Sequence, residues 1–131
     1  MSSMISQTPA LLLTLFLAVS LSACDEGDKG AVNCTEEFRS STLYVPGNPL
    51  TESYTIRIST NDTIRNVGNS DLRPGYYIVL NDDYQPNLEN QQDSFCFIGK
   101  RGNDIIIREE YVFKADYCHI TKVSGKEIIE Q

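Results

Sequence analysis

The chain has no tryptophan and a single histidine, and its first 23 residues contain no Asp, Glu, Lys, Arg or His. Without tryptophan there can be no antibody-type core, in which a Trp packs against an inter-sheet disulfide. With His119 alone, a zinc site lacks a second imidazole, and no cysteine pair has the C-x2-C spacing of a closed structural site. Positive charge is also scarce: 11 Lys and Arg face 18 Asp and Glu, for a net charge of −7. A domain of that sign repels nucleic acid and anionic headgroups, so neither is an expected partner. Long apolar runs are missing too. Leu11 to Leu21, broken only by Thr14 and Ser20, is about 11 residues where a membrane-spanning helix needs about 20.

A run of that length fits the apolar region of an export signal. Its n-region, Met1 to Gln7, has no Lys or Arg, so only the α-amino group supplies positive charge. An ordinary signal peptidase site wants small residues at −3 and −1, and cleavage before Cys24 would put Leu21 at −3. The tetrapeptide Leu21-Ser22-Ala23-Cys24 instead resembles the lipobox of bacterial lipoproteins. That resemblance implies removal of residues 1–23, acylation of Cys24 with palmitate-type chains, and attachment to a bacterial membrane through lipid. The alternative is plain secretion, with Cys24 as a disulfide partner. Residues 24–33, which include Asp25-Glu26-Gly27-Asp28-Lys29-Gly30, are rich in Gly and charge and read as a flexible acidic tether. In lipoprotein sorting, Asp directly after the lipidated Cys implies inner-membrane retention, whereas the acidic cluster looks like the surface-export signal of Bacteroidetes-type bacteria. The two implications conflict, and a plain solvated linker is the third reading.

With Cys24 lipidated, Cys34, Cys96 and Cys118 remain, which allows one intramolecular bridge and one free thiol. Cys96, inside Phe95-Cys96-Phe97-Ile98, reads as a small buried apolar residue. Cys34 opens the folded region and Cys118 lies near its end, so Cys34–Cys118 is the expected bridge.

Beyond Cys34 the apolar period is two, and no 3.6-residue stripe occurs. Phe38 to Val45 alternates as a strand does. Tyr54, Ile56 and Ile58 are expected on one face of a half-buried strand, with Thr55, Arg57 and Ser59 on the other. Pro46-Gly47-Asn48-Pro49, Asn61-Asp62 and Gly68-Asn69-Ser70-Asp71 carry turn chemistry. Tyr76 to Leu80 reads as a short apolar strand and Asn81 to Asp93 as a long polar loop. Ser94–Ile98 and Asp104–Arg108 flank Gly99 to Asn103 as a hairpin, its second arm running to Phe113 with a bulge or bend near Glu109-Glu110. Strands are expected over Tyr117–Val123 and Glu127–Glu130. Six to eight short strands over residues 34–131 predict an all-β, antiparallel β-sandwich of immunoglobulin-like or transthyretin-like topology. The segments Cys34–Arg39, Asp116–His119 and Val123–Gly125 also look similar to a group of small bacterial lipoproteins, a likeness that implies no activity.

Asp116-Tyr117-Cys118-His119 is where an acid, a thiol and an imidazole crowd together. On a strand, Cys118 and His119 would leave opposite faces, which argues against a nucleophile pair and for a bridged cysteine beside a surface histidine. His119 with Asp82, Asp83 or Asp116 is one conceivable metal set, and Asn81-Asp82-Asp83 is a conceivable oxygen set for Ca2+ that lacks the EF-hand spacing and its terminal Glu. Glu109, Glu110 and Asp116 do not form the facing carboxylate pair of a glycosidase. No metal or other cofactor is expected. Asp82, Asp83 and Tyr84, on the long loop, mark the candidate contact surface. The function expected is a lipid-anchored, non-catalytic binding or structural accessory module of the cell envelope, with an envelope protein as partner. The alternatives are a small enzyme or redox protein using Cys118, His119 or a free thiol, and an inhibitor or immunity-type module.

Overall fold

The computed structural model describes residues 31–65 and 72–130; the Leu21–Cys24 tetrapeptide, the tether up to Gly30 and the Gly68–Asp71 turn lie outside them. The described chain is an all-β antiparallel sandwich of seven strands. They are β1 (Ser40–Tyr44), β2 (Glu52–Arg57), β3 (Thr63–Ile64), β4 (Tyr76–Asn81), β5 (Gln92–Arg101), β6 (Asp104–Ala115) and β7 (Ile120–Ser124). β1 pairs with β4 in a small sheet, and the large sheet has the order β3-β2-β5-β6-β7. The two sheets close on one core, in which Leu43, Val45, Val79 and Leu80 meet Phe95, Phe97, Tyr111 and Phe113. Phe95 stands edge-on to both Tyr84 and Phe113, and Tyr111 stacks on Phe113.

The β5–β6 hairpin is the longest ladder, and its turn is tighter than the sequence suggests. β5 runs on to Arg101, so only Gly102 and Asn103 connect the arms, with Gly102 at φ 62. Glycine at the first position of a two-residue turn meets the need for positive φ. The register shifts lie at Gly99/Lys100 and, against β7, at Val112/Phe113, not at Glu109-Glu110. Gly99 is tight because a Cβ there would come within 2.8 Å of Leu50 and 3.0 Å of Ile107.

The faces of β1 and β2 differ from what their apolar residues suggest. In β1 the buried residue is Leu43, with Val45 just beyond, while Phe38 is exposed. In β2 the polar residues turn inward: Thr55 and Arg57 are buried, whereas Ile58 is exposed. The inward positions carry their own hydrogen-bond partners, which removes the penalty of burying them. Thr55 Oγ1 donates to the Val79 carbonyl of the opposite sheet at 2.6 Å. The Arg57 guanidinium meets Asp93 at 2.6 Å, the Asn87 carbonyl at 2.8 Å and Gln91 at 3.0 Å. Cys96 and Ile98, on the opposite face of β5, are covered as well, and Cys96 is buried and free, as its apolar sequence neighbours predict.

Asn81 to Asp93 is not a loose loop. A 3-10 turn (Asp82–Tyr84) leads into a short helix α1 (Gln85–Leu88), and Tyr84, Gln85 and Leu88 are buried. Asn81 caps the turn by accepting from the Asp83 N–H, and Pro86 sits where a helix start tolerates a missing donor. Residues 116–119 form a turn, so the expected strand begins at Ile120 rather than Tyr117. The last segment is reduced to a parallel bridge between Ile128 and Tyr44. Gly125, at φ 131, lets the chain pass over Tyr111, where any Cβ would lie 2.1 Å from the ring.

If residues 82–88 belong to the core, Leu88→Ala costs about 2–5 kcal/mol, while Asp83→Ala, on the exposed side, changes stability by less than about 0.5 kcal/mol. Urea denaturation of the two variants reads the difference, and equal, small effects would show the segment to be a peripheral loop.

Candidate functional site

A cluster of polar groups of the described domain lies at the entrances to β1 and β7. Cys34 and Cys118 form a disulfide, as the sequence predicts, joining positions 84 residues apart. The bridge places the residues that follow each cysteine side by side. Thr35 Oγ1 and His119 Nε2 are 3.0 Å apart, and His119 Nδ1 lies 2.7 Å from Asp82 Oδ2. His119 is buried rather than a surface residue, and Thr35 is exposed.

Asp82 is the acceptor that holds the cluster. Its Oδ2 also takes the Arg39 N–H at 2.7 Å, and its Oδ1 takes the Ile120 N–H at 2.8 Å. Burial raises the pKa of this carboxyl, but the two amides and the imidazole outweigh it and leave it below the ordinary Asp value. An ionised carboxylate only accepts, so Nδ1 carries the proton it faces. With the proton on Nδ1, Nε2 can accept from the Thr35 hydroxyl. Asp116 does the local shaping, accepting the N–H groups of Cys118 and His119 at 2.8 Å each. Those two bonds pull its own pKa down, and they make the 116–119 turn. Gln85 closes the turn from inside by donating to the Asp116 and Tyr117 carbonyls at 2.8 and 2.9 Å.

Beside this cluster runs a groove of about 690 Å³, lined among others by Phe38, Arg39, Thr42, Ile120, Lys122 and Ile128. Its walls are strand edges. Tyr44 directs its backbone away from β4, donating to Glu127 O at 2.8 Å and accepting from Ile129 N at 2.9 Å. Thr42, two residues earlier, directs its own N–H and C=O the same way by the alternation of an antiparallel pair. Ile120 turns its N–H away from β6 to Asp82, and Lys122 follows with the same alternation. Among the described residues nothing pairs with the outward groups of Thr42 and Lys122.

The sequence-predicted residues are therefore divided. Cys34 and Cys118 meet; Cys118 is spent on the bridge and is no free nucleophile. Asp82 and His119 meet, but Asp83 is exposed and accepts from Asn81 Nδ2 at 3.3 Å, and Asp116 faces backbone amides. No group of three metal-ligating side chains occurs among the described residues. Of the contact-loop residues, Tyr84 is buried and donates to Asp62 at 3.2 Å, Asp82 is half-buried with its carboxylate turned inward, and Asp83 is exposed. Cys96 is buried with its thiol pKa raised by desolvation, which disfavours the thiolate that redox chemistry needs. The residue that sequence reading missed is Thr35. Its signal was partial: a bridge between 34 and 118 brings 35 near 119 when the two segments run parallel and near 117 when they run antiparallel. No family model, curated protein or solved structure matches this chain.

Asp82 gives the site a pH signature. Its folded-state pKa is depressed, so the stability it contributes is complete above the ordinary Asp value, near 3.9, and fades as pH falls through the folded value. Asp82→Asn should cost about 1–3 kcal/mol at neutral pH, and its deficit should shrink on acidification to below both values; urea midpoints between pH 7 and 2 measure it. Reducing Cys34–Cys118 should cost about 4–5 kcal/mol in the chain-entropy account of a closed loop of this length. Denaturation with and without a phosphine reductant reads that loss directly.

Proposed function

We propose that the chain is the precursor of a lipid-anchored lipoprotein of the bacterial cell envelope, whose β-sandwich serves as a binding or structural accessory module. The observation that carries this reading is the Cys34–Cys118 disulfide, ten residues beyond the lipobox-like Leu21-Ser22-Ala23-Cys24. Disulfides form and persist in exported proteins, so the bridge supports delivery across a membrane independently of the leader. It also leaves Cys24 without an intramolecular partner in the described domain, since Cys96 is buried and free. Among the described residues no helix is long and apolar enough to cross a membrane. Attachment in this reading depends on acyl chains, where each buried CH2 contributes about 0.8 kcal/mol and two or more chains are needed for lasting anchorage.

For a module of this kind the groove is the binding surface. Its unpaired strand edges offer main-chain donors and acceptors to an extended segment of an envelope protein, and Phe38 and Ile128 offer exposed apolar contact. The acidic chain disfavours nucleic acid as a competing ligand.

Expression with a clickable palmitate analogue tests the anchor. The wild-type protein should incorporate label and partition into the Triton X-114 detergent phase, while Cys24→Ala should lose both and remain uncleaved or soluble. Equal detergent partitioning of the two proteins would refute lipidation at Cys24.

A further inference from the structure

The Thr35–His119–Asp82 arrangement has the connectivity of a nucleophile, a base and the carboxylate that orients the base. The hydroxyl-to-Nε2 distance of 3.0 Å and the Nδ1-to-carboxylate distance of 2.7 Å both lie within hydrogen-bond reach. The roles are divided by burial as such chemistry requires. Asp82 and His119 are shielded, with side chains 8% and 9% exposed, so the ring is held in one tautomer, while Thr35 faces solvent. The disulfide fixes the backbone one residue before both Thr35 and His119, which pre-sets their approach without relying on side-chain packing. The N–H groups of Thr35 and Glu36 make no backbone–backbone hydrogen bond among the described residues. The groove begins at Glu37 and at Ile120, two residues beyond Thr35 and one beyond His119.

From this geometry we propose that Thr35 is an acyl-accepting nucleophile, with His119 as its general base, in a site that hydrolyses carboxylic esters. This departs from the expectation of a non-catalytic module, and it goes beyond the lipoprotein reading without depending on it. The Thr35 hydroxyl gives its proton to His119 Nε2 as its oxygen bonds to the ester carbonyl carbon, and the carbonyl π pair moves onto oxygen. When that pair returns, the C–O bond to the alcohol breaks, and the leaving alkoxide takes the proton from His119. Water then attacks the acyl-threonine, giving its proton to Nε2. Collapse releases the carboxylic acid and restores the Thr35 hydroxyl with that same proton. Asp82 holds the ring throughout and stays ionised. Esters rather than amides fit this site, because an alkoxide leaves more readily than an amide nitrogen. Phe38 and Ile128, on the neighbouring groove wall, give the acyl group an apolar surface.

The test uses the full chain purified with its disulfide intact, a fluorophosphonate probe and p-nitrophenyl butyrate. The native protein should gain a covalent adduct that maps to Thr35, and heat-denatured protein should not. Thr35→Val should lose the adduct and about 100-fold or more of the hydrolysis rate, within the range expected for removing a base-activated nucleophile, while Thr35→Ser should keep both. Thr35 is exposed, and an unchanged melting temperature confirms that the Val variant is folded. Hydrolysis at the same rate in wild type and Thr35→Val, no adduct, or an adduct on another residue would overturn the proposal.

Discussion

One carboxylate ties the two sheets' entrances together. Asp82 accepts from the backbone before β1, from the backbone opening β7 and from the His119 ring, while standing directly after β4. Three elements distant in sequence thus depend on a single side chain that cannot be protonated without loosening all of them. The remaining polar interior follows the same logic at a second centre. Asp93 accepts from Arg57 and from Ser59, and the guanidinium spends its other donors on Asn87 and Gln91. Burial pushes the Asp93 pKa up, yet these bonds bring it below the ordinary range, and they raise that of Arg57. Among the described residues no buried side-chain polar atom is left without a partner. The sandwich is therefore pinned by two satisfied polar networks, both tied to the segment around residues 82–93, and by aromatic packing in the core.

How much of this was legible in the sequence depends on what each residue's neighbours could reveal. The β5–β6 hairpin was readable because its apolar alternation and its turn lie within one short stretch. The bridge was readable by elimination, because Cys96 sits among apolar residues and Cys34 and Cys118 bracket the domain. β2 was not. Tyr54, Ile56 and Ile58 look like the core face by hydropathy alone, and only the distant partners Val79, Asn87, Gln91 and Asp93 make it possible for Thr55 and Arg57 to take that place. Segment 81–91 misled for a related reason. Its composition is polar, but Tyr84 and Leu88 anchor it to the core while its polar groups cap turns and close neighbouring strands.

The candidate site shows the same limit. A histidine beside a cysteine drew attention to the thiol, whereas the fold uses the thiol as a staple and turns the imidazole toward a hydroxyl and a carboxylate. The strand geometry that would have parted Cys118 from His119 does not apply, because Asp116 bends residues 116–119 into a turn. The cluster is an outcome of three local choices: a cross-link, a turn and a capped helix entrance.

The disulfide also decides how the domain carries tension. Any pull on the chain before Cys34 reaches a covalent fork there, one branch leading along residues 35–39 into β1 and the other through Cys118 to β6 and β7. Load on the first branch alone would bear on the short β1–β4 ladder from its end and draw Thr35 off His119. The second branch diverts that load into the large sheet through a bond that does not unzip. A domain held by its amino-terminal side can thus be tugged without opening the edge of its groove or separating the hydroxyl from the imidazole.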